Sequence, residues 1–409
     1  MFKKTLAIMM AIVMVLSMLA VFTSCGDDEK EQGMSESPLK APTLTKDFDV
    51  KDDFKIGFIM LHDENSTYDK NFINAAKSVK EVLGLRDDQF IVKTNIPESS
   101  VCYDTAKDLV SQGCDIIFAD SFGHESFMLQ AAKEHPEVQF CHATGTLAHT
   151  ENLANYHNAF ASIYEGRYLA GIAAGMKLNE MIKEKKITEK EAVMGYVGAF
   201  TYAEVISGLT SFYLGAKSVC PSVTMKVRFT GSWYDQAKEQ EAANSLIADK
   251  CVLISQHADS MGAPTACELK GVPNVSYNGS TYDACPETFI VSSAINWAPY
   301  FLYIIKCVNT GKEIDADWCG GIKEGSVVLS GINQGVAAEG TVEAIEKAIE
   351  DFKAGKLNVF DTSKDNFITV GGKKLTTYMA DVDTDEAFAK DTEVVLNGFF
   401  NESKFRSAP

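Results

Sequence analysis

From Lys55 onward, short apolar runs alternate with amphipathic segments along the chain. The run KIGFIMLHD predicts a buried strand, and the following segment, Asp69 to Leu83, places Phe72 with other apolar residues on one helical face and ends at Gly84. The same order continues through FIVKTNI, VCYDTAKDLVSQG, CDIIFAD, HESFMLQAAKEH and VQFCHAT. This rhythm predicts an α/β fold in which a mostly parallel sheet is flanked by helices on both faces.

The rhythm then restarts with the helical segment EGRYLAGIAAGMK and the strand VMGYVGAF. Further along, TGSWYDQAKEQEAANSLI predicts a helix with Asp235 as its N-cap, directly preceded by the rings of Trp233 and Tyr234. Two α/β units in series predict two lobes. Residues 359–409 predict an appended hairpin, FITVGGKKLTTY, turning at Gly371 and Gly372, and then a polar tail.

The N-terminus predicts export and a membrane anchor. Residues 1–24 carry lysines, the apolar run LAIMMAIVMVLSMLAVF and small residues before Cys25, which is typical of a signal peptide. The letters FTSC resemble the lipobox of bacterial lipoproteins, although Phe22 replaces the more usual leucine; an ordinary signal peptide with an incidental Cys25 is the alternative. Residues 25–53 are polar and without periodicity, so we expect a lipidated cysteine on a flexible tether and an extracytoplasmic, membrane-anchored protein.

Composition narrows the classes of function. With 409 residues and 46% hydrophobic content the chain can bury a large core, and its formal net charge of −18 argues against binding nucleic acid. Nine cysteines follow Cys25, an odd number, and several lie inside apolar strands. No C-x-x-C pair occurs, so zinc binding and dithiol redox chemistry have little support.

The short signatures of common enzyme classes are absent from the sequence. There is no G-x-S-x-G, Walker loop, G-x-G-x-x-G or H-E-x-x-H motif. His142, His149 and His157 fall in one stretch, but their spacing does not indicate convergence on a metal. We therefore expect no catalytic residues, no metal and no cofactor.

Aromatic and neutral polar residues follow the predicted strands in both halves. Ligands of open α/β sheets bind beyond the carboxyl ends of the strands, so these residues are candidates to line a cleft. Such walls suit a flat, uncharged ligand that forms hydrogen bonds. The residues at strand ends include His62, Asp63, Asn65, Tyr68, Ser121, Phe122, Phe200, Tyr202, Trp233, His257, Asp259, Asn278, Asn296 and Trp297.

Several segments together resemble the basic membrane protein family, the solute-binding lipoproteins of ABC importers that include purine nucleoside receptors. The matching segments are IGFIML…NSTYDKNF, CDIIFADSFGH…AAKEHPEVQF, YEGRYLAGIAAGM, GYVGAF…VISGLTSFYLGAKSVCP, TGSWYDQAKEQEAA and GGIKEGSVVLSG. They occur in order from about Lys55 to about Gly355, and the segment after Val359 has no clear counterpart.

The resemblance implies a periplasmic-binding-protein type I fold with two lobes and three crossovers, closing by a hinge around its ligand. Lobe 1 would comprise residues 54–158 and 293–316, and lobe 2 residues 159–292 and 317–358. The implied partners are ABC permease and ATPase subunits, with the protein acting as a monomer.

The resemblance also implies a purine held between two aromatic rings, at positions that correspond to Tyr68 and Trp233. Simple packing of these rings is the alternative. Nucleoside receptors of the family hold the ribose with an acidic residue and a lysine, where this chain has Asn278 and Asn296. A free base such as adenine is therefore as plausible a ligand as a nucleoside, or more so.

The further predicted contacts are Ser121, Phe122, Gln256, Asn278 and Trp297, with Asp63, Asn65, His257, Asp259 and Asn296 in support. The predicted function is capture of a purine by stacking and lobe closure, for import. A signalling receptor of the same fold and an exported nucleoside-processing enzyme are the alternatives.

Overall fold

The computed structural model describes residues 33–361, 369–370 and 373–374. Two six-stranded sheets organise them. The first sheet is parallel throughout and contains β1 (Ile56–Ile59), β2 (Phe90–Lys93), β3 (Ile116–Ala119), β4 (Gln139–Ala143), β5 (Tyr156–Ala161) and β11 (Asp317–Gly320), in the order β11-β5-β4-β3-β1-β2. The second contains β6 (Val193–Gly198), β7 (Thr224–Phe229), β8 (Leu253–His257), β9 (Asn274–Tyr277), β10 (Phe289–Ile295) and β12 (Val327–Leu329), in the order β12-β10-β9-β8-β6-β7. In the second sheet β12 is antiparallel to β10, and the other pairs are parallel.

Helices connect most of the strands. They are α1 (Thr67–Leu83), α2 (Ser100–Ser111), α3 (Glu125–Glu134), α4 (Ala148–Glu151), α5 (Ile163–Lys183), α6 (Ala203–Val219), α7 (Gln236–Ala248), α8 (Gly262–Lys270), α9 (Ala298–Thr310) and α10 (Thr341–Lys353). Of these, α5 and α9 lie where the chain passes from one sheet to the other. The helix α1 begins where Ser66 accepts a hydrogen bond from the Asp69 amide, and it ends at Gly84 with the left-handed φ of 70°. The predicted end of this helix is confirmed.

Helices α5 and α6 pack closely against each other, with glycines at the points of closest approach. A β-carbon at Gly171 would lie 2.1 Å from the carbonyl oxygen of Phe212, and one at Gly215 would lie 2.0 Å from that of Tyr168. Because backbone meets backbone at these points, any side chain there would separate the helices.

Each sheet with its helices forms one lobe, so the predicted α/β fold with two lobes is confirmed. The chain passes between the sheets after β5, after β10 and after β11, which makes three crossovers. The predicted lobe boundaries at 158, 293 and 316 lie shortly before the ends of these strands. Strand ends locate a crossover only to within a loop, so the residue-level boundaries stay a prediction.

The predicted tether is wrong for residues 33–53, which lie against both lobes. The amide of Ser35 donates to the Ile332 carbonyl (2.8 Å), and the amide of Leu329 donates to the Leu39 carbonyl (3.0 Å), beside β12 in lobe 2. Farther along, the Lys51 amide donates to the Asn309 side chain (2.8 Å) on α9 in lobe 1. We call residues 33–53 the N-terminal arm. Backbone pairing explains its order, since that pairing needs no hydrophobic periodicity.

Few of the remaining predictions for the two ends of the chain concern residues that the structure describes. Thr369–Val370 pairs antiparallel with Lys373–Lys374, on either side of the predicted hairpin turn. The glycines of that turn, the signal peptide, Cys25 and the polar tail lie outside the described residues. Within the described part of the chain, no helix combines the length and the apolar character that crossing a membrane requires.

Candidate ligand-binding site

A cleft lies between the carboxyl ends of the two sheets. Both lobes contribute to its walls, as expected for a site between two open α/β units. The lining residues from lobe 1 are Leu61, His62, Tyr68, Asp69, Ser121, Phe122 and Thr144, and those from lobe 2 are Glu204, Trp233, His257, Asp259 and Tyr277. Six predicted contacts are therefore brought together here: Tyr68, Ser121, Phe122, Trp233, His257 and Asp259.

The ring of Tyr68 is held from lobe 1 by α1. Its hydroxyl donates to the Asp120 carbonyl at 2.7 Å, and its ring packs edge-on to Phe72 with centroids 4.9 Å apart. These contacts fix both ends of the side chain, so its orientation at the cleft does not depend on a ligand.

The ring of Trp233 approaches from lobe 2, in the loop between β7 and α7. It packs against Phe200 and Tyr202, with ring centroids 5.3 Å and 5.9 Å away. Its carbonyl accepts from the Asp259 amide (2.9 Å), and the predicted N-cap Asp235 accepts from the Lys238 amide (3.0 Å). Trp233 is thus held in place by two neighbouring rings and by a backbone hydrogen bond.

Ser121 and Phe122 form the part of the wall that follows β3. The Ser121 hydroxyl donates to the Glu98 carboxylate at 2.6 Å, and its carbonyl accepts from His142 Nε2 at 2.7 Å. The ring of Phe122 reaches across to Tyr202, with centroids 5.3 Å apart. Ser121 is therefore occupied by protein partners, whereas Phe122 provides an apolar contact between the lobes.

His62 and Asp69 line the cleft from lobe 1, and Asp120 is buried close to Asp69. Asp69 accepts from the His62 amide (2.6 Å) and lies 3.2 Å from His62 Nδ1, a hydrogen bond that raises the pKa of His62. Burial raises the pKa of Asp120 well above its usual range, and the nearby charge of Asp69 adds to this. Burial also acts to raise the pKa of Asp69, but hydrogen bonds from His62, Asp120 and Ser66 hold it below its usual value. Asp69 thus favours its ionised form more than a free carboxyl does, and Asp120 favours its neutral form more.

The lobe 2 wall combines buried groups that favour their neutral forms. His257 Nε2 lies 3.1 Å from Glu204 Oε1, and the Tyr277 hydroxyl donates to the same oxygen at 3.4 Å. Burial lowers the pKa of His257 in spite of Glu204. Burial and the charge of Glu239 raise the pKa of Asp259 well above its usual range. A neutral Asp259 can both donate and accept hydrogen bonds.

Two predicted contacts after β10 lie elsewhere. Trp297 is 1% exposed and stacks on Phe72 with centroids 4.3 Å apart, so its ring belongs to the lobe 1 core. The side chain of Asn296 donates to the Gly325 carbonyl (2.9 Å) and accepts from the Ala298 amide (3.2 Å). These residues follow the strand at which the chain leaves lobe 2, so they serve the crossover and the neighbouring core.

Four other predicted contacts also lie outside the lining. Asp63 is half-buried and closes a local turn by accepting from the Asn65 amide (3.0 Å) and side chain (2.8 Å). Gln256 is buried and donates to the carbonyls of Ala258 and Ser260, both at 3.3 Å. Asn278 is buried behind the wall and donates to Asp259 Oδ1 at 3.0 Å.

Comparisons with known proteins identify the family of this chain. Residues 57–363 match the model of the Bmp family, described as ABC transporter substrate-binding protein PnrA-like. The chain belongs to this PnrA-like family. A purine-binding protein from Brucella abortus is 29% identical over 314 residues, which cover 76% of this chain and 84% of that protein. A Haloferax volcanii protein named as a glucose-binding protein of an ABC transporter is 33% identical, over 62% of each chain.

Solved structures agree in fold. A solute-binding protein of an ABC transporter system from Aeropyrum pernix superimposes with a TM-score of 0.60 at 17% identity, covering 78% of this chain and 94% of that one. The predicted family and its type I fold are therefore confirmed. As a PnrA-like protein, the chain is an extracytoplasmic substrate-binding protein that binds a small molecule and works with a permease and an ATPase.

Half of the lining of this PnrA-like cleft was not among the predicted contacts: Leu61, His62, Asp69, Thr144, Glu204 and Tyr277. His62 was already among the strand-end residues, whereas Glu204 lies inside a segment that is predicted as a helix. Asp69 lies inside the predicted helix and Tyr277 inside the predicted strand. Only the direction of their side chains brings these two to the cleft.

Proposed function

We propose that this PnrA-like protein captures a purine between Tyr68 and Trp233 and delivers it to an ABC permease. The observation that carries this proposal is that the two rings come from opposite lobes and line one cleft, each held by protein contacts. Aromatic faces on two lobes can stack on both faces of a flat ring system. Closure of the lobes then completes the site.

The hydrogen-bonding groups of the cleft suit the edge of a purine base. Asp69, whose pKa lies below its usual value, can accept from ring or exocyclic N–H groups, and Asp259, whose pKa burial raises, can donate to a ring nitrogen when it is protonated. A polar edge left unpaired inside a closed cleft costs roughly 1 to 3 kcal/mol, so these groups select among flat ligands.

A free base such as adenine is preferred over a nucleoside. Asn278 and Asn296 correspond, by the family resemblance, to the residues with which nucleoside receptors hold the ribose. The side-chain amides of both asparagines are hydrogen-bonded to protein groups. A ribose at these positions would find no free charged partner. Glucose is the second candidate, because of the name of the Haloferax relative.

The test is calorimetric titration of a chain beginning at Gly33, freed of co-purified ligand by unfolding and refolding. The panel is adenine, adenosine, inosine, guanosine, ribose and glucose. Submicromolar binding of adenine over adenosine supports the proposal. Preference for nucleosides keeps the purine and refutes the free base, and binding of glucose alone refutes the purine.

The anchor is proposed from the N-terminal sequence and the position of the arm. With signal cleavage after residue 24 and a lipid on Cys25, only residues 26–32 separate the lipid from the arm. Those residues reach roughly 25 Å at most, so the body works close to the membrane.

Partitioning of the full-length chain into detergent phase, beside Cys25→Ser, tests the anchor. Loss of partitioning only in the variant supports lipidation. Equal behaviour of the two chains favours an ordinary signal peptide.

A further inference from the structure

Two polar side chains of α1 reach from lobe 1 to lobe 2. The Thr67 hydroxyl donates to the Asp259 carbonyl at 2.9 Å, and the Asn71 side-chain amide donates to the Asn278 carbonyl at 2.9 Å. Thr67 and Asn71 are four residues apart, so they share one face of the helix. That face is directed at the other lobe.

The acceptors in lobe 2 are held together as one unit. Asn278 has a left-handed backbone with φ of 62°, which an asparagine tolerates better than most residues. Its side chain donates to Asp259 Oδ1 at 3.0 Å and so ties the loop after β9 to the loop after β8. The two carbonyls that face α1 therefore keep a fixed spacing.

The donors are fixed just as firmly to lobe 1. Tyr68, next to Thr67, is anchored through its hydroxyl at the Asp120 carbonyl. Phe72, next to Asn71, is fully buried and stacks on Trp297 in the lobe 1 core. A relative movement of the lobes must therefore break both hydrogen bonds from α1.

We propose that Thr67 and Asn71 form a clasp that stabilises the closed arrangement of the lobes through direct protein contacts. Neither residue is among those that line the cleft. Because only the closed form completes the binding site, the clasp raises the apparent affinity for any ligand by raising the closed population. The proposal holds whether the ligand is a purine or another solute.

A disulfide can report the closed population without a ligand. A β-carbon at Gly279 would lie 3.5 Å from Thr67 Cβ, within the range that a disulfide spans. The chain from Gly33 carrying Thr67→Cys and Gly279→Cys is oxidised with oxidised glutathione, which takes the two thiol hydrogens and becomes two molecules of glutathione. When the lobes move faster than the oxidation, its rate follows the closed fraction.

The test adds Asn71→Ala or Asn71→Asp to this pair, with Lys70→Ala, on the same helix, as the matched control. Removal of one hydrogen bond of typical net strength lowers the closed-to-open ratio roughly 2- to 13-fold. We expect slower cross-linking with Asn71→Ala, still slower with Asn71→Asp, where a carboxylate faces a carbonyl, and no change with Lys70→Ala. Because Thr67→Cys removes the Thr67 hydrogen bond, this chain reports the Asn71 bond alone. Unchanged rates in both Asn71 variants, or equal slowing in the control, overturn the clasp.

Discussion

Leu39 on the N-terminal arm offers a direct test of whether the arm is part of the folded body. Its side chain is 5% exposed and packs with the main hydrophobic core, and its carbonyl accepts from the Leu329 amide at 3.0 Å. Replacement of a buried leucine by alanine costs about 2 to 5 kcal/mol, through lost burial and the cavity left behind. The arm lies at the surface and can partly close that cavity, so we expect about 2 to 3 kcal/mol for Leu39→Ala.

Urea unfolding of the chain from Gly33 measures this change, with Leu269→Ala as the matched control. Leu269 is a leucine on α8 with 73% of its surface exposed, so its loss should change the free energy of unfolding by less than about 0.5 kcal/mol. A chain beginning at Lys46 lacks Leu39 altogether and should be destabilised at least as much as Leu39→Ala. Equal midpoints for Leu39→Ala and Leu269→Ala would refute the packed arm and restore the flexible tether.

Three further predictions address the cleft and its surroundings. Trp233→Ala should weaken purine binding by about 1.5 to 4 kcal/mol in calorimetry, while Tyr103→Ala, an aromatic loss on α2 outside the cleft lining, should leave it unchanged; equal affinities would reject the stacking. Burial raises the pKa of Glu239 to about 7 from 4.5, so its ionisation lowers stability as the pH rises from about 4.5 to 7. Glu239→Gln should remove about 3 kcal/mol of that decline, and an unchanged slope of stability against pH would contradict it. Among the nine cysteines from Gly33 onward, Cys319 is the exposed one, so a thiol reagent should label one equivalent in the folded protein, and rapid labelling of more would contradict this burial.

The fold could be predicted because its signals are local. Strand β1 and helix α1 follow directly from an apolar run, an apolar helical face and a terminal glycine. Their repetition determines a parallel sheet, since strands joined by helices run parallel. The number of lobes followed from the restart of this pattern, and the crossovers from family resemblance.

The site could be predicted only in part, because the strand-end rule specifies an edge of the sheet and not the direction of a side chain. It correctly placed Tyr68 and Trp233 at one cleft. It was wrong for Trp297, which also follows a strand, because β10 leads into a crossover and its next residues enter the core of the other lobe. Local sequence does not distinguish these cases.

Asn278 and Asn296, which the resemblance places at the ribose contacts of nucleoside receptors, both have structural partners that the sequence did not indicate. Asn296 donates to the Gly325 carbonyl, and a β-carbon at Gly325 would lie 2.5 Å from Pro42 of the N-terminal arm, so two crossovers and the arm meet at this point. Asn278 ties two lobe 2 loops together and accepts from Asn71 across the cleft.

The side-chain oxygen and nitrogen of Asn296 and the side-chain nitrogen of Asn278 are therefore engaged by protein partners. A ribose placed beside these groups would have to displace those contacts or leave its hydroxyls unpaired, at a cost of roughly 1 to 3 kcal/mol for each buried group. A base without a sugar avoids that cost and still gains from both rings. These contacts at the crossovers and the clasp thus support the free base that we propose as the ligand.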